Sequence, residues 1–426
     1  MREIEEFAIF ALKYQLLRNC FCMEIKSISL GGFCNIDNFN IDLQNINAIV
    51  APNNYGKSNV LEAIIFALKF IRATENKRVK MMSDQSYIPI NKKVCETPFS
   101  FEINGYYDNS GSSSREFLYG FSFEWATSIE QKGARIIGEY LKVKDVSDIR
   151  FKSLVKRSTD TGAFYVPSPT GRCNKRIDVT DQQLIINLLY GTEVFFKTLL
   201  STITNLEIQM VDLMESNMRE LCKFFYTLKT TDIENYSILE DAICQIIPNV
   251  EKIEPIKLQL STSKNATLPY RIDDDIYDLR IFQSSNNQDI SISRLSSGSR
   301  RVICILKECL SAEINKIPLV LYEELENSVH PRLLENVLLV IAELAPTVSI
   351  LTTSHSPYLI RYMKPEQLIF GLPSAMGVAD FHKIKRQKIS LLQKRAVGEE
   401  ASFGEYMFEL MLNMEYDSSE INTLFQ

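Results

Sequence analysis

The stretch Ala51-Pro52-Asn53-Asn54-Tyr55-Gly56-Lys57-Ser58 constrains this chain more than any other. It follows an apolar run, Ile46 to Val50, and opens a second, helix-like one from Asn59 to Leu68. Strand, tight loop and helix in that order are the setting in which G-x-x-x-x-G-K-[ST] cradles phosphate. Backbone N–H groups at the helix start face the anion, and the helix dipole adds roughly half a positive charge there. Lys57 is then expected to reach the outer phosphates, and the Ser58 hydroxyl to hold Mg2+. Ala51 stands where the first glycine of the pattern belongs, and its methyl is tolerable if the backbone keeps a negative φ.

The 426 residues leave room for two or three lobes around a sizeable core. Lys and Arg number 47 against 53 Asp and Glu, a net charge of −6, which argues against a generally basic nucleic-acid binder while allowing a local patch. The nine cysteines show no C-x-x-C spacing and only His330, His355 and His382 could join them. That pattern disfavours structural zinc and reads as reduced thiols in a cytoplasmic protein. No apolar run reaches the ~18–20 residues of a bilayer span, so no membrane partner is expected. Ala8 to Leu17 follows Glu3, Glu5 and Glu6 rather than a basic start, so residues 1–22 read as an N-terminal extension, either an added helix or an upstream start, and not a signal peptide.

Along the chain, Ile25 to Leu30, Phe39 to Leu43 and Ile46 to Val50 read as strands with a turn at Gly31-Gly32. Phe99 to Tyr107, Glu116 to Trp125 and Ile136 to Val143 read as an antiparallel meander. Helical periodicity follows in Gln182 to Leu189, Val194 to Leu206 and Met214 to Leu228, with strand character again at Val250 to Leu260 and Tyr270 to Ile281.

Four further features come in order after residue 290: Leu295-Ser296-Ser297-Gly298-Ser299 before Arg300-Arg301 and an apolar helix; Leu319 to Tyr322 ending in Glu323-Glu324-Leu325-Glu326; His330-Pro331 before another helix; and Val348 to Leu351 running into Thr353-Ser354-His355-Ser356-Pro357. Beside a phosphate loop each has a task. Glu323 at a strand end can fix Mg2+ through its waters, and Glu324 can accept a proton from an attacking water. His355 can sense the terminal phosphate, and Ser297, Gly298 and Ser299 can present hydroxyl and N–H donors. Each also has a plain reading: a solvated acidic loop, an ordinary histidine, a helix cap, and for Arg300-Arg301 a solvated helix face.

Taken together, these segments resemble the ABC-type ATPase heads of the SMC and RecF-like superfamily. They are similar to AAA-labelled ATPases of the overcoming-lysogenization-defect (OLD) family and of anti-phage and abortive-infection systems. The resemblance rests on Met23 to Ile28, Asn47 to Ala63, Leu295 to Ser299, Glu323 to Glu326 with His330-Pro331, and Thr353 to Pro357. It implies an α/β fold: a two-lobed ABC-type P-loop ATPase head, a mixed sheet with an antiparallel β meander, and an inserted helical subdomain. The implied boundaries are an extension at 1–22, a first lobe at 23–145, a mainly helical insertion at 146–269, a second lobe at 270–372, and a basic then acidic helical tail at 373–426.

The resemblance also implies the site. ATP and Mg2+ are the cofactors; Asn53, Asn54, Gly56, Lys57, Ser58 and Asn59 hold the nucleotide; Ser58 and Glu323 serve the metal; Glu324 and His355 are catalytic. Ser296, Ser297 and Gly298 of one subunit cap nucleotide held by another, so ATP joins a homo-dimer or higher homo-oligomer. Gln85 is a candidate metal and water sensor. Glu323 replaces the usual Asp, placing its carboxylate about 1.5 Å further out; Leu325 replaces Pro, and Ser299 replaces Gln, Glu or Thr. Hydrolysis is therefore expected to be slow.

Three readings of function follow. The first is an ATPase whose self-association controls a separate effector such as a nuclease or toxin, since the stretch after His355 is too short for the Toprim nuclease fused to OLD ATPases. The second is a DNA-binding repair or maintenance ATPase of the RecF type, on the strength of His382 to Arg395, which holds six Lys or Arg and no acid. The third is a nucleotide-gated interaction module with little turnover.

Overall fold

The computed structural model describes residues 23–51, 53–89, 91, 97–109, 112–126, 133–159, 161–211, 217–258, 276–285, 288–372 and 377–412. The expected extension at 1–22 lies outside them, as do Pro52 and the expected strand residues 259–260 and 270–275. Two units emerge. The described residues up to Met210, with Lys316–Leu321 and those from Thr347 onward, form one; Val211–Asn315 and Tyr322–Pro346 form the other. The architecture is α/β with a large mixed sheet, as the motifs implied.

In the first unit, all five residues of Ile46–Val50 are buried, the signature of a strand covered on both faces. Its neighbours Ser349–Ser354 and Leu368–Leu372 both run parallel to it. Among the described residues the sheet has fourteen strands, in the order Gln209–Val211, Leu319–Glu323, Ser349–Ser354, Ile46–Val50, Leu368–Leu372, Ala379–His382, Ile36–Asp42, Met23–Phe33, Phe99–Asn109, Ser112–Glu124, Arg135–Asp145, Lys152–Ser158, Gly162–Tyr165 and Lys175–Arg176. Residues 209–210 and Leu319–Leu321 are the parts of their strands that belong to this unit. From Ile36–Asp42 to the far edge every pairing is antiparallel.

The meander extends past the expected Val143. Residues 146–269 were expected to be mainly helical, yet they begin with the three strands Lys152–Ser158, Gly162–Tyr165 and Lys175–Arg176. Leu154, Val155, Ala163 and Val166 are buried, while Lys152 and Lys156 face solvent. Short, lysine-rich strands near an edge blur the alternation that marks a strand in sequence. The later helices are Ile185–Tyr190, Lys197–Thr204, Met218–Thr231 and Ile233–Ile246.

The helix Lys57–Arg72 buries Val60, Leu61, Ala63, Ile64, Ala67, Leu68, Phe70 and Ile71. Phe70 stacks on Phe123 with ring centroids 4.8 Å apart, and Phe123 meets Phe99 and Trp125 at 4.9 Å. At its far end the buried Arg78 guanidinium donates to the Phe70 and Ile71 carbonyls, each at 2.9 Å, and to Asn187 Oδ1 at 2.7 Å. Carbonyls of a last turn have no intrahelical partner, so Arg78 caps this helix and ties it to the chain after the meander. The aromatic cluster and the arginine together anchor the helix whose first residues close the phosphate loop.

The second unit contains the antiparallel strands Val250–Leu258, Ile276–Gln283 and Ile290–Ser291. It also holds the helices Met218–Thr231, Ile233–Ile246, Ser297–Ile314 and Pro331–Leu344. No helix among the described residues is long and apolar enough to cross a membrane.

Candidate functional site

The register of the parallel strands sets the site in the first unit. Ser354 pairs with Val50, so His355 leaves one strand end level with Ala51 leaving the next. Gly56 adopts φ 95°, a left-handed conformation open to glycine at little cost, and the helix starts at Lys57. With glycine at the N-cap, no side chain there competes for the first-turn N–H groups, which leaves them to an anion. Asn54 also takes a left-handed φ of 60°, and Asn53, Asn54 and Ser58 are exposed. Lys57 is buried, and its ammonium donates to the Ala51 carbonyl across 2.7 Å. The loop therefore curls around its own lysine, with Ser58 turned to solvent.

Ala51 keeps its φ outside the left-handed region, the condition the sequence set for an alanine here. Its methyl has room because position 371 on the neighbouring strand is glycine. A Cβ at Gly371 would stand 2.6 Å from Ala51 Cβ and 2.7 Å from Tyr55 Cδ1. Burial pushes the Tyr55 phenol up to about 12, and its oxygen accepts from the Asp380 N–H at 3.4 Å. Asn35 completes the cradle: its Oδ1 accepts from Asn59 Nδ2 at 2.8 Å, and its Nδ2 donates to the Gly377 carbonyl at 3.4 Å. Sequence reasoning missed Asn35 and Gly371. A glycine inside an apolar strand does signal a close approach, so Gly371 was readable; Asn35 was one turn residue among many.

His355 is exposed and lies between two serines that cap the chain around it. Ser354 Oγ accepts from the Ser356 N–H at 3.1 Å, and Ser356 Oγ accepts from the Tyr358 N–H at 3.3 Å as the N-cap of Pro357–Arg361. Gln85 is exposed in the turn after Glu75–Met82. In the basic stretch, Lys383 donates to the Asp42 carbonyl at 3.2 Å and approaches its carboxylate at 3.5 Å. Arg386, Lys394 and Arg395 are exposed, while Leu392 and Ala396 bury the opposite face of their helix.

The second unit carries the Ser-Gly turn and the acids. Ser296 is the N-cap of Ser297–Ile314, its Oγ accepting from the Ser299 N–H at 3.1 Å. Gly298 lies in the first helical turn, where a Cβ would stand 2.6 Å from the Ser328 carbonyl oxygen. Glu323 is exposed at the end of its strand and Glu324 half-buried, followed by the fully buried Leu325. Glu324 takes a left-handed φ of 49°, and Ser328 one of 62°. The plain reading of Arg300-Arg301 as a solvated face fails for Arg301: it is 7 % exposed and donates to the Glu324 carbonyl at 2.7 Å. His330 caps Pro331–Leu344, its Nδ1 accepting from the Arg332 N–H at 3.2 Å.

The donors fit the cofactors the motifs imply. Within the first unit, the buried Lys57 ammonium and a helix start with no side-chain cap suit polyphosphate, and the Ser58 hydroxyl is a hard oxygen ligand of the kind Mg2+ takes; within the second, the exposed Glu323 carboxylate is another such oxygen. A family model described as an AAA ATPase domain matches residues 23–360. The chain is also similar to solved SMC heads. One, bound to the C-winged helix domain of ScpA, is 12 % identical, covering 86 % of this chain and 99 % of that one at a TM-score of 0.47. The SMC head domain from Thermotoga maritima is 13 % identical over 85 % and 99 %, at 0.41. A head with an extended coiled coil, bound to the C-terminal domain of ScpA and derived from Pyrococcus furiosus, is 11 % identical over 88 % and 100 %, at 0.42.

Proposed function

We infer that this chain, which belongs to the AAA ATPase domain family, binds ATP with Mg2+ and hydrolyses it to ADP and phosphate. The observation that carries the reading is the phosphate loop itself: Lys57 buried against the Ala51 carbonyl, beneath a left-handed Gly56. Arriving phosphate oxygens replace that carbonyl as the acceptor for the Lys57 ammonium, a charge-assisted exchange that favours the ligand. Asn53, Asn54, Gly56 and Asn59 shape the loop around it. Ser58 and Glu323 are the metal donors, and bound Mg2+ supplies charge neutralisation at the phosphates. Glu324 accepts the proton of the attacking water, and His355 donates to the terminal phosphate. The longer Glu323 side chain slows turnover.

Ser296, Ser297 and Gly298 cap nucleotide held by a second copy, so ATP drives formation of a homo-dimer or larger homo-oligomer. Hydrolysis reverses it, and the cycle controls a separate effector protein in the cytoplasm, in keeping with the motif resemblance to anti-phage ATPases. Phosphate release from Mg2+-ATP is measured for the wild type and Glu324→Gln, together with particle mass with and without ATP. The expected result is turnover in the wild type, a loss of about 100-fold or more in the variant, and a stalled ATP-bound oligomer. Wild type that binds ATP and releases no phosphate would reject hydrolysis and leave a nucleotide-gated module.

A further inference from the structure

The loop from Glu324 to Ser328 is held at both ends by the first turns of one helix, Ser297–Ile314. At one end the buried Arg301 guanidinium donates to the Glu324 carbonyl at 2.7 Å. At the other, Gly298 brings its backbone against the Ser328 carbonyl, with no room for a Cβ between them. Both Glu324 and Ser328 are non-glycine residues in left-handed conformations, which cost free energy and persist only where the surroundings over-determine them. The contacts at Glu324 include the Arg301 donor, the Asn327 N–H at 2.9 Å on the same carbonyl, and the buried Leu325 side chain next in sequence. The consequence is directional. With its carbonyl drawn toward the helix and Leu325 seated in the core, the half-buried Glu324 side chain has little freedom in where it leaves the backbone.

We propose that Arg301 is a positioning residue for Glu324, fixing its backbone so that the carboxylate meets the attacking water, and that it makes the Ser-Gly turn and the acid loop one mechanical piece. This rests on the reading of Glu324 as proton acceptor. Arg301 touches no reacting atom in this scheme; its effect passes through the Glu324 main chain. A misplacement of about 1 Å in such a group costs about 100-fold in rate, so a single main-chain hydrogen bond can weigh heavily on turnover and lightly on nucleotide affinity.

The test compares wild type, Arg301→Met, Arg301→Lys, Glu324→Gln and the Arg301→Met/Glu324→Gln double variant of the full chain. Methionine keeps the stem and removes the donors; lysine keeps one donor at similar reach. In Arg301→Met, kcat for phosphate release is expected to fall about 10- to 100-fold, with the equilibrium affinity for ATP within about twofold of wild type. Arg301→Lys should recover part of the loss. The double variant should be no slower than Glu324→Gln alone, because both act on one group. Hydrogen exchange gives the second readout: amides of 325–329 should lose protection in Arg301→Met while the helix Ser297–Ile314 keeps its own.

Wild-type kcat in Arg301→Met, an equal loss in ATP affinity, or a further loss in the double variant would overturn the proposal. Failure of the underlying reading looks different: the wild type itself releases no phosphate. In that case the exchange readout decides, with lost protection at 325–329 upholding Arg301 as the anchor and unchanged protection removing it. Should Arg301→Met not fold, Arg301→Lys alone carries the comparison, since an unaltered kcat with altered protection, or the reverse, breaks the link.

Discussion

Asn35 Oδ1 accepts a hydrogen bond from Asn59 Nδ2 across 2.8 Å, joining the turn before Ile36–Asp42 to the first turn of the phosphate-loop helix. The Asn35 backbone carbonyl meanwhile accepts from the Ala379 N–H at 2.8 Å. One residue thus binds three segments around Gly56, whose own Cα leaves no room between it and the Asn35 amide. Asn35→Ala is expected to weaken ATP binding about 3- to 10-fold, the worth of about one net hydrogen bond, while shifting the thermal midpoint by only a few degrees. Calorimetric titration checks this, and unchanged affinity would remove Asn35 from the cradle.

Gly371 and Ala51 are a packing pair. Adding a methyl at 371 forces it onto Ala51 Cβ and the Tyr55 ring. Gly371→Ala should cost about 1–3 kcal/mol by overpacking and weaken ATP binding through the displaced loop. Adding Ala51→Gly should restore part of both, since the Tyr55 clash remains. Thermal unfolding and ATP affinity of the two single variants and the double are the measurements; strictly additive losses would show that the two methyls do not compete for one space.

Glu139 gives the fold a pH dependence of its own. Burial raises its carboxyl from the ordinary range to about 7, against the N–H donors of Ile185 and Ile186 at 2.6 and 3.1 Å and the nearby Arg157 and Arg78. A carboxyl that binds its proton more tightly when folded stabilises the fold at low pH, and that contribution is lost as pH rises through about 7. The unfolding midpoint should therefore fall between about pH 5 and about pH 8, and Glu139→Gln should flatten that slope. A slope identical in the variant would assign the dependence to other groups.

The sequence by itself determined the parts that are local. Gly56-Lys57-Ser58 between an apolar strand and an apolar helix needs a left-handed turn and delivers a lysine and uncapped N–H groups whatever the rest of the chain does. The order of the Ser-Gly turn, the acids and His355 could likewise be read along one dimension, because each is a strand end or a helix start. Tertiary structure decided what depends on two distant segments touching. Arg301 looks like any arginine on a helix until Glu324 turns through a positive φ and offers it a carbonyl. Asn35 looks like a turn former until Asn59 arrives beside it, and Ala51 looks like a defect in the motif until Gly371 vacates the space for its methyl. Lys152–Ser158 and its partners escaped notice for a related reason: strands near the edge of a sheet need only half a pattern, and their pairing partners supply the rest.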